Sequence, residues 1–417
     1  MFGWGRREGG RDALPTRPER SYHRRASALE VMLVDKWLLV GTTAVTAAVA
    51  CVVWRRRRGA RRGAKPLVLG HVPATMQRLT VVRKDVQMER VRVQVEAQAP
   101  VPQPAHGQVL VKVAAAPVNP SDYGRWRASE PMANPQPCGL EGSGVVVGSG
   151  GGAEADRLLG QRVGFLGASM AEYALADASI CVPLPIPDIC DGASWFVNPF
   201  TAYAIYDMAR QEGATAFVHT GAASQLGQML VRLCAKKNMC VINVVRRASQ
   251  REKLRAIGAE HIVVTAEPGW ETELRELVER TGAHVAFDCV AGESTKMCLS
   301  VLPTLRGVCF VYGRLSGEDA RVPPVELIYG GKRVEGLLVL GSPRAWLAPG
   351  PDRTRRWREG SEAVLTGLQA GGWARTEFVD CSLEGMFPTF LKMWAGKEAN
   401  ADGKGFTGQK LRIRLGS

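Results

Sequence analysis

The chain has 417 residues, of which 46% are hydrophobic and 23% charged, and this composition excludes a disordered, collagen-like or multi-spanning polypeptide. At about 150 residues per domain, the length predicts two or three domains. Residues 1–65 hold 15 basic and 5 acidic side chains and the other 352 hold 39 and 35, so most of the +14 net charge lies in an N-terminal arm, and the nearly balanced body is not expected to bind nucleic acid.

The arm comes first in chain order. Residues 1–36 are a basic segment containing seven arginines and five acidic residues, loosely like a transit peptide. Trp37 to Trp54 is an uncharged run bounded by tryptophans. As a helix it would span roughly 27 Å, enough for a thin bilayer. Arg55–Arg58, Arg61, Arg62 and Lys65 form a basic flank over 55–65. A single transmembrane helix over 37–54 is the expectation, with the lipid bilayer as partner. A buried core helix or a cleaved targeting segment is the alternative. The moderately apolar run and strong basic flank fit a single-pass mitochondrial membrane anchor, with the endoplasmic reticulum membrane as competitor.

The body opens with a β-rich, glycine-rich stretch. Val91–Val95, Val109–Val113, Gly144–Val147 and Arg162–Phe165 read as strands. Near Asn198 the pattern changes to strands alternating with helices. The predicted helices are 201–210, 226–237, 249–257, 270–280 and 293–302. The predicted strands are 216–219, 240–245, 261–264, 284–288 and 307–312. Such alternation predicts a right-handed, parallel βαβ sheet. After about residue 345 the regularity fades, and a short strand over 410–415 closes the chain. Ten cysteines are scattered without a C-x-x-C pair, as expected of reduced, intracellular thiols.

The first βαβ unit is the natural dinucleotide site. Strand 216–219 runs into Thr220-Gly221-Ala222-Ala223-Ser224-Gln225-Leu226-Gly227. A G-x-G-x-x-G fingerprint ending at Gly227 would want glycine at 222 and 224, where alanine and serine stand. The small residues still permit backbone approach to a pyrophosphate at a helix N-terminus. An ordinary tight turn is the competing reading. The next strand ends in Arg246-Arg247. There an acidic residue would grip a ribose 2′-hydroxyl, whereas two arginines suit a 2′-phosphate, with a solvated charge pair at a strand end as the alternative. NADPH is therefore the expected cofactor.

From about Leu110 onward the chain resembles the medium-chain dehydrogenase/reductase superfamily, in its zinc-free quinone-reductase and enoyl-reductase branch. The resemblance rests on the order and spacing of several segments: Val109–Val113 with Pro117–Asp122, Gly139–Gly142, Gly160–Gly164, Val197–Tyr203, Ile242–Arg246, Gly258–His261 and Val311–Gly313. Mitochondrial trans-2-enoyl-thioester reductases share the Asn-Pro-x-Thr-Ala-Tyr and Ile-Asn-Val-Val-Arg segments in particular.

The resemblance implies an α/β fold. A GroES-like β-rich catalytic domain (66–197 and 343–417) would frame an inserted Rossmann doubly wound parallel sheet (198–342), and a homodimer would be usual. Ala223, Ser224, Gln225, Gly227, Arg246 and Arg247 are the expected contacts of the cofactor's phosphates, and the resemblance implies Asn198, Thr201, Tyr312 and Gly313 beside the nicotinamide. For Asn198 and Thr201 helix capping is the alternative, and for Tyr312 and Gly313 a strand-end aromatic and a turn glycine.

Zinc-dependent relatives carry a histidine ligand where this chain has Leu140, and a four-cysteine lobe, but no cysteine follows Cys138 until Cys181. No metal is expected. Enoyl reductases place a proton-donating tyrosine a few residues after Asn-Pro-Ser-Asp. That position falls near Glu130 here, and Tyr123 is the nearest substitute. A packed tyrosine, with solvent as donor, is its alternative. His219 is expected to end its strand with hydrogen-bonded nitrogens. The resulting expectation is a membrane-anchored NADPH-dependent reductase of a 2-enoyl thioester, enone or quinone. The alternative is a catalytically idle member of the fold serving as a subunit of a mitochondrial membrane assembly.

Overall fold

The computed structural model describes residues 67–127, 135–399 and 409–415. The anticipated membrane helix over 37–54 and both basic segments around it lie outside the described residues. Among the described residues no helix is long and apolar enough to cross a membrane.

The first half is built from β1 (Leu67–Val68), β2 (Thr75–Arg83), β3 (Arg92–Pro100), β4 (Gln108–Pro117), β5 (Gln136–Pro137), β6 (Glu141–Ser149), β7 (Arg162–Leu166), β8 (Tyr173–Asp177) and β9 (Val182–Pro183). Two strands from the far end of the chain, β16 (Phe378–Cys381) and β17 (Lys410–Arg414), complete its main sheet in the order β16-β17-β4-β6-β7-β9. β1 adds to β6 and β8 to β4, while β2, β3 and β5 form a separate sheet. Val109, Leu110, Val111 and Val113 of β4 are all buried, so this strand is covered on both faces. Its neighbour β6 is glycine-rich for a steric reason. A Cβ at Gly144 would stand 2.2 Å from the Lys112 carbonyl oxygen.

The second half holds β10 (Ala216–Thr220), β11 (Cys240–Val245), β12 (His261–Val264), β13 (Val285–Asp288), β14 (Val308–Val311) and β15 (Arg333–Gly336). All pairs are parallel, and the spatial order is β12-β11-β10-β13-β14-β15. This is the doubly wound arrangement, with its reversal of winding between β10 and β13. Phe217, Phe287 and Phe310 face the helices Val197–Gln211 and Gln225–Lys236. Ala216, Val218, Ala286 and Cys309 face Trp270–Thr281 and Glu293–Val301. Burial on both faces is why these strands read as continuous apolar runs.

Two differences from the sequence reading stand out. Edge strand β15 was not anticipated, because its Arg333 and Glu335 are exposed and it lacks an apolar run. The fading regularity after residue 345 also conceals two long helices, Arg353–Leu368 and Met386–Ala399. In the first, contact positions are glycines. A Cβ at Gly360 would meet Phe200 at 3.0 Å, and one at Gly367 would meet Trp373 at 2.6 Å. Small residues at the packing stripe erase the hydrophobic periodicity on which a helix is recognised.

Candidate active site

The carboxyl ends of β10, β11, β13 and β14 meet where the winding reverses, the place where open α/β sheets bind ligands. The turn after β10 is shaped by two glycines. Gly221 has φ +60°, and a Cβ there would lie 2.5 Å from the Cys289 Sγ. Gly227 leaves no room either, since its Cβ would stand 2.2 Å from the Ala222 carbonyl oxygen. Ser224 caps the following helix, accepting from the Gly227 amide at 3.1 Å. Ala223 and Gln225 are buried beside it, and the Gln228 side chain donates to the Ala223 carbonyl at 3.0 Å. The conformational freedom expected at 222 and 224 is thus supplied by Gly221 alone, one position earlier.

β11 delivers Arg246 and Arg247 to the adjacent strand end. Both backbone amides donate to the Gln250 side-chain oxygen at 3.1 Å. Arg246 is exposed and Arg247 half-buried.

β13 and β14 close the crevice floor. The buried Asp288 carboxylate accepts from Thr220 Oγ1 at 2.7 Å, Thr295 Oγ1 at 2.7 Å, Ser294 Oγ at 2.9 Å and the Val290 and Ala291 amides. It thereby ties the ends of β10 and β13 together. A Cβ at Gly313 would meet the Cys289 carbonyl oxygen at 2.6 Å, so only glycine lets the chain pass after Tyr312. His219 Nε2 lies 2.7 Å from the Tyr312 hydroxyl, with the two rings nearly parallel. Burial pulls the imidazole down to about 4, so it is neutral at physiological pH. Its Nδ1 is buried and has no hydrogen-bond partner among the described residues, which corrects the expectation that both nitrogens would be bonded.

A second cluster joins the β-rich half to the start of helix Val197–Gln211. Asn198 and Thr201 lie in the first turns of Val197–Gln211, and Asn198 is buried. Neither caps the helix. The cap position is Phe196, and Thr201 Oγ1 bonds the Val197 carbonyl at 2.5 Å. The helix is capped from outside by Glu141, whose Oε2 accepts from the Phe196 amide at 2.7 Å and the Val197 amide at 2.9 Å. A carboxylate here satisfies orphan donors and complements the helix dipole.

Glu141 Oε1 accepts in turn from Asn119 Nδ2 at 3.0 Å and Ser194 Oγ at 3.3 Å. Lys410 Nζ donates to Asn119 Oδ1 at 2.7 Å and Ser194 Oγ at 2.9 Å, and Asp122 accepts from the Asn119 amide at 2.8 Å. All five residues are buried. Burial pushes the Asp122 carboxyl up to about 7 and pulls the Lys410 ammonium down to about 8. The sequence reading touched Asn119, Asp122 and Glu141 only as parts of family segments, and missed Ser194 and Lys410. The one available signal was a run of polar side chains in otherwise apolar surroundings.

Tyr123 is a core residue. Its ring packs against Phe390 and Trp394 at 5.6 and 5.5 Å between centroids, and burial raises its hydroxyl pKa above the usual tyrosine range. Leu140 is half-buried, and Cys138 is a buried thiol. Among the described residues no group of three or more His, Cys, Asp or Glu side chains could hold a metal ion.

Comparison with known proteins agrees with this geometry. Residues 105–186 match the alcohol dehydrogenase GroES-like domain, and residues 226–348 match the zinc-binding dehydrogenase domain. Mitochondrial enoyl-[acyl-carrier-protein] reductase of Xenopus tropicalis is 30% identical over 249 residues, covering 57% of this chain and 70% of that protein. Prostaglandin reductase-3 of Bos taurus is 29% identical over 283 residues, covering 64% and 74% respectively. Among solved structures, a Mesorhizobium loti protein assigned as an NADPH:quinone reductase superposes with a TM-score of 0.68 at 29% identity, covering 83% of this chain and all of that one. The ordered segments, the doubly wound sheet with its glycine-tight turn and these relatives agree: the chain belongs to the medium-chain dehydrogenase/reductase superfamily, in its zinc-free quinone-reductase and enoyl-reductase branch, and is an oxidoreductase of that type.

Proposed function

We propose that this protein reduces an activated C=C bond, in a 2-enoyl thioester or enone, or a quinone, with NADPH as hydride donor. One observation carries the reading. A turn with no room for a Cβ at Gly221 or Gly227 stands beside an exposed arginine, Arg246, at the end of the next strand. The turn permits close backbone approach to a pyrophosphate, and a guanidinium fork matches a 2′-phosphate where an acidic residue would repel it. These residues fit the cofactor. The segment Ala223, Ser224, Gln225 and Gly227 would hold the pyrophosphate, Arg246 and Arg247 the 2′-phosphate, and Asn198, Thr201, Tyr312 and Gly313 the nicotinamide end. Two further facts agree. The Mesorhizobium relative carries an NADPH:quinone reductase assignment, and a fold neighbour was crystallised with NADP and crotonyl-CoA.

When bound, the cofactor supplies a hydride to the β-carbon of the acceptor. The chain's own residues bind and orient. Asn198 and Thr201 are held by a helix whose first amides are fixed on Glu141, so this wall is pre-organised. The enolate needs a proton at its α-carbon, and a hydroxyl packed like that of Tyr123 is poorly placed to give it, so solvent is the donor in this reading. The test is a titration of the full chain with NADPH and NADH, followed by turnover on 2-enoyl thioesters, enones, quinones and saturated aldehydes. NADPH binding with turnover on conjugated acceptors is expected. NADPH binding without turnover on any acceptor favours an idle member of the fold acting as a subunit.

Two placements complete the reading. The uncharged run 37–54 anchors the chain in a membrane, mitochondrial by analogy with the named relatives. Recovery of the full chain in a carbonate-soluble fraction would dispose of this. The chain also forms a homodimer through the edge of β15, which among the described residues pairs only with β14, and beside which Ile328 and Tyr329 are exposed. A sedimentation coefficient of a monomer would remove it.

A further inference from the structure

We propose that Lys410, at the start of the last strand, is a positioning residue for the nicotinamide end of the cofactor cleft. Through Asn119, Ser194 and Glu141 its ammonium fixes the first turn of helix Val197–Gln211, which carries Asn198 and Thr201. The proposal rests on the placement of those two residues given under the proposed function.

A buried ammonium is costly unless nearby groups compensate it. Lys410 is only 5% exposed, yet its Nζ bonds two neutral oxygens, Asn119 Oδ1 and Ser194 Oγ. The compensating carboxylate is one step further on. Asn119 and Ser194 both donate to Glu141 Oε1, and Glu141 Oε2 takes the Phe196 and Val197 amides. The polarity is continuous: ammonium, two oriented dipoles, carboxylate, helix N-terminus. Asp122, the remaining titratable group facing the ammonium, is occupied with the Asn119 amide.

The arrangement makes the orientation of Asn119 and Ser194 depend on Lys410. With the ammonium gone, the amide of Asn119 can flip and the Ser194 hydroxyl can turn. Glu141, fully buried, then lacks the positive charge that its two donors link it to. Rotation of that carboxylate is the cheapest relief, and it releases the helix amides. Lys410 and Asn119 are separated by 291 residues, so the closing strand reports its own docking to the cofactor wall.

The test uses the full chain with Lys410→Met, which keeps the stem and removes the charge. Ser194→Ala serves as a milder variant should the first not fold. Amide exchange is followed at Phe196–Val197 and, as reference, in β10. Binding of NADPH is compared with binding of 2′,5′-ADP, which lacks the nicotinamide half. Exchange at 196–197 is expected to rise about tenfold or more while β10 keeps its protection. NADPH should weaken about tenfold, corresponding to about 1.4 kcal/mol, while 2′,5′-ADP stays within about twofold. Unchanged exchange at 196–197 in both variants would overturn the proposal. So would an equal rise in β10, or parallel loss of both ligands, which mark Lys410 as a staple of the fold only. If the unaltered protein does not bind NADPH, the cofactor reading fails separately, and the exchange comparison still decides whether Lys410 holds the helix.

Discussion

The His219 imidazole and the Tyr312 hydroxyl meet at 2.7 Å across the sheet, joining the ends of β10 and β14 over the intervening β13. The contact sits at the crevice floor, and the histidine is fully buried. Tyr312→Phe leaves the Nε2 group without that partner, the costly case for a buried polar atom. Chemical denaturation should show a loss of about 1–3 kcal/mol. A change under about 0.3 kcal/mol would mean that water replaces the phenol.

The pH dependence of stability follows from His219 and Asp122 with opposite signs. His219 stays neutral in the folded protein down to about 4 but takes a proton near 6.5 when unfolded. The unfolded chain binds more protons between these values, so this group's contribution falls as pH drops from 6.5 towards 4. Asp122 is protonated in the folded state up to about 7 and ionises near 3.8 when unfolded, so its contribution falls as pH rises through that window. In the unaltered protein the two slopes oppose each other. Asp122→Asn should expose the His219 slope, a loss on the order of 3 kcal/mol on acidification. A flat profile for Asp122→Asn from pH 6.5 to 4 would contradict it.

Gly227→Ala should both destabilise the protein and abolish cofactor binding. A Cβ there would stand 2.2 Å from the Ala222 carbonyl, a backbone atom that cannot step aside cheaply. Clashes of this kind cost about 1–3 kcal/mol or more. A thermal melt and NADPH titration of the variant check this, and an unchanged melting temperature would show that the turn can shift.

Arg246→Ala combined with Arg247→Ala should erase a preference for NADPH over NADH. Charge-assisted bonds to a phosphate are worth about 1.5–3 kcal/mol, or roughly 10- to 100-fold in affinity. NADH affinity should hardly move. Equal affinities for both cofactors in the unaltered protein would refute the assignment of these arginines.

Tyr123→Phe should change turnover by less than about threefold, because solvent and not this packed hydroxyl donates the proton, whereas loss of a general acid would cost about 10²-fold or more. Retention of the ring keeps the contacts with Phe390 and Trp394. A hundredfold drop at unchanged stability would make Tyr123 the proton donor after all.

Much of the second half was legible in the sequence. The five strands from 216 to 312 and their helices fall within a few residues of the observed elements, because doubly covered strands and amphipathic helices write their burial into local periodicity. Gly227 was legible because its constraint is local, set by the backbone of Ala222 five residues earlier. Helix Arg353–Leu368 was not, since glycines at 360 and 367 hold the positions where large apolar residues would mark a face.

The sequence by itself determined the alternation of elements, the family and the residue types around the crevice. Only the tertiary structure decided which polar groups meet. Glu141 caps a helix 55 residues downstream, Lys410 closes on Asn119, and His219 finds Tyr312 with one nitrogen while the other has no hydrogen-bond partner among the described residues. Periodicity is set by neighbours along the chain and can be read from it. The pairing of buried polar groups is set by chain segments that meet only when apolar burial brings them together, and no local pattern records it.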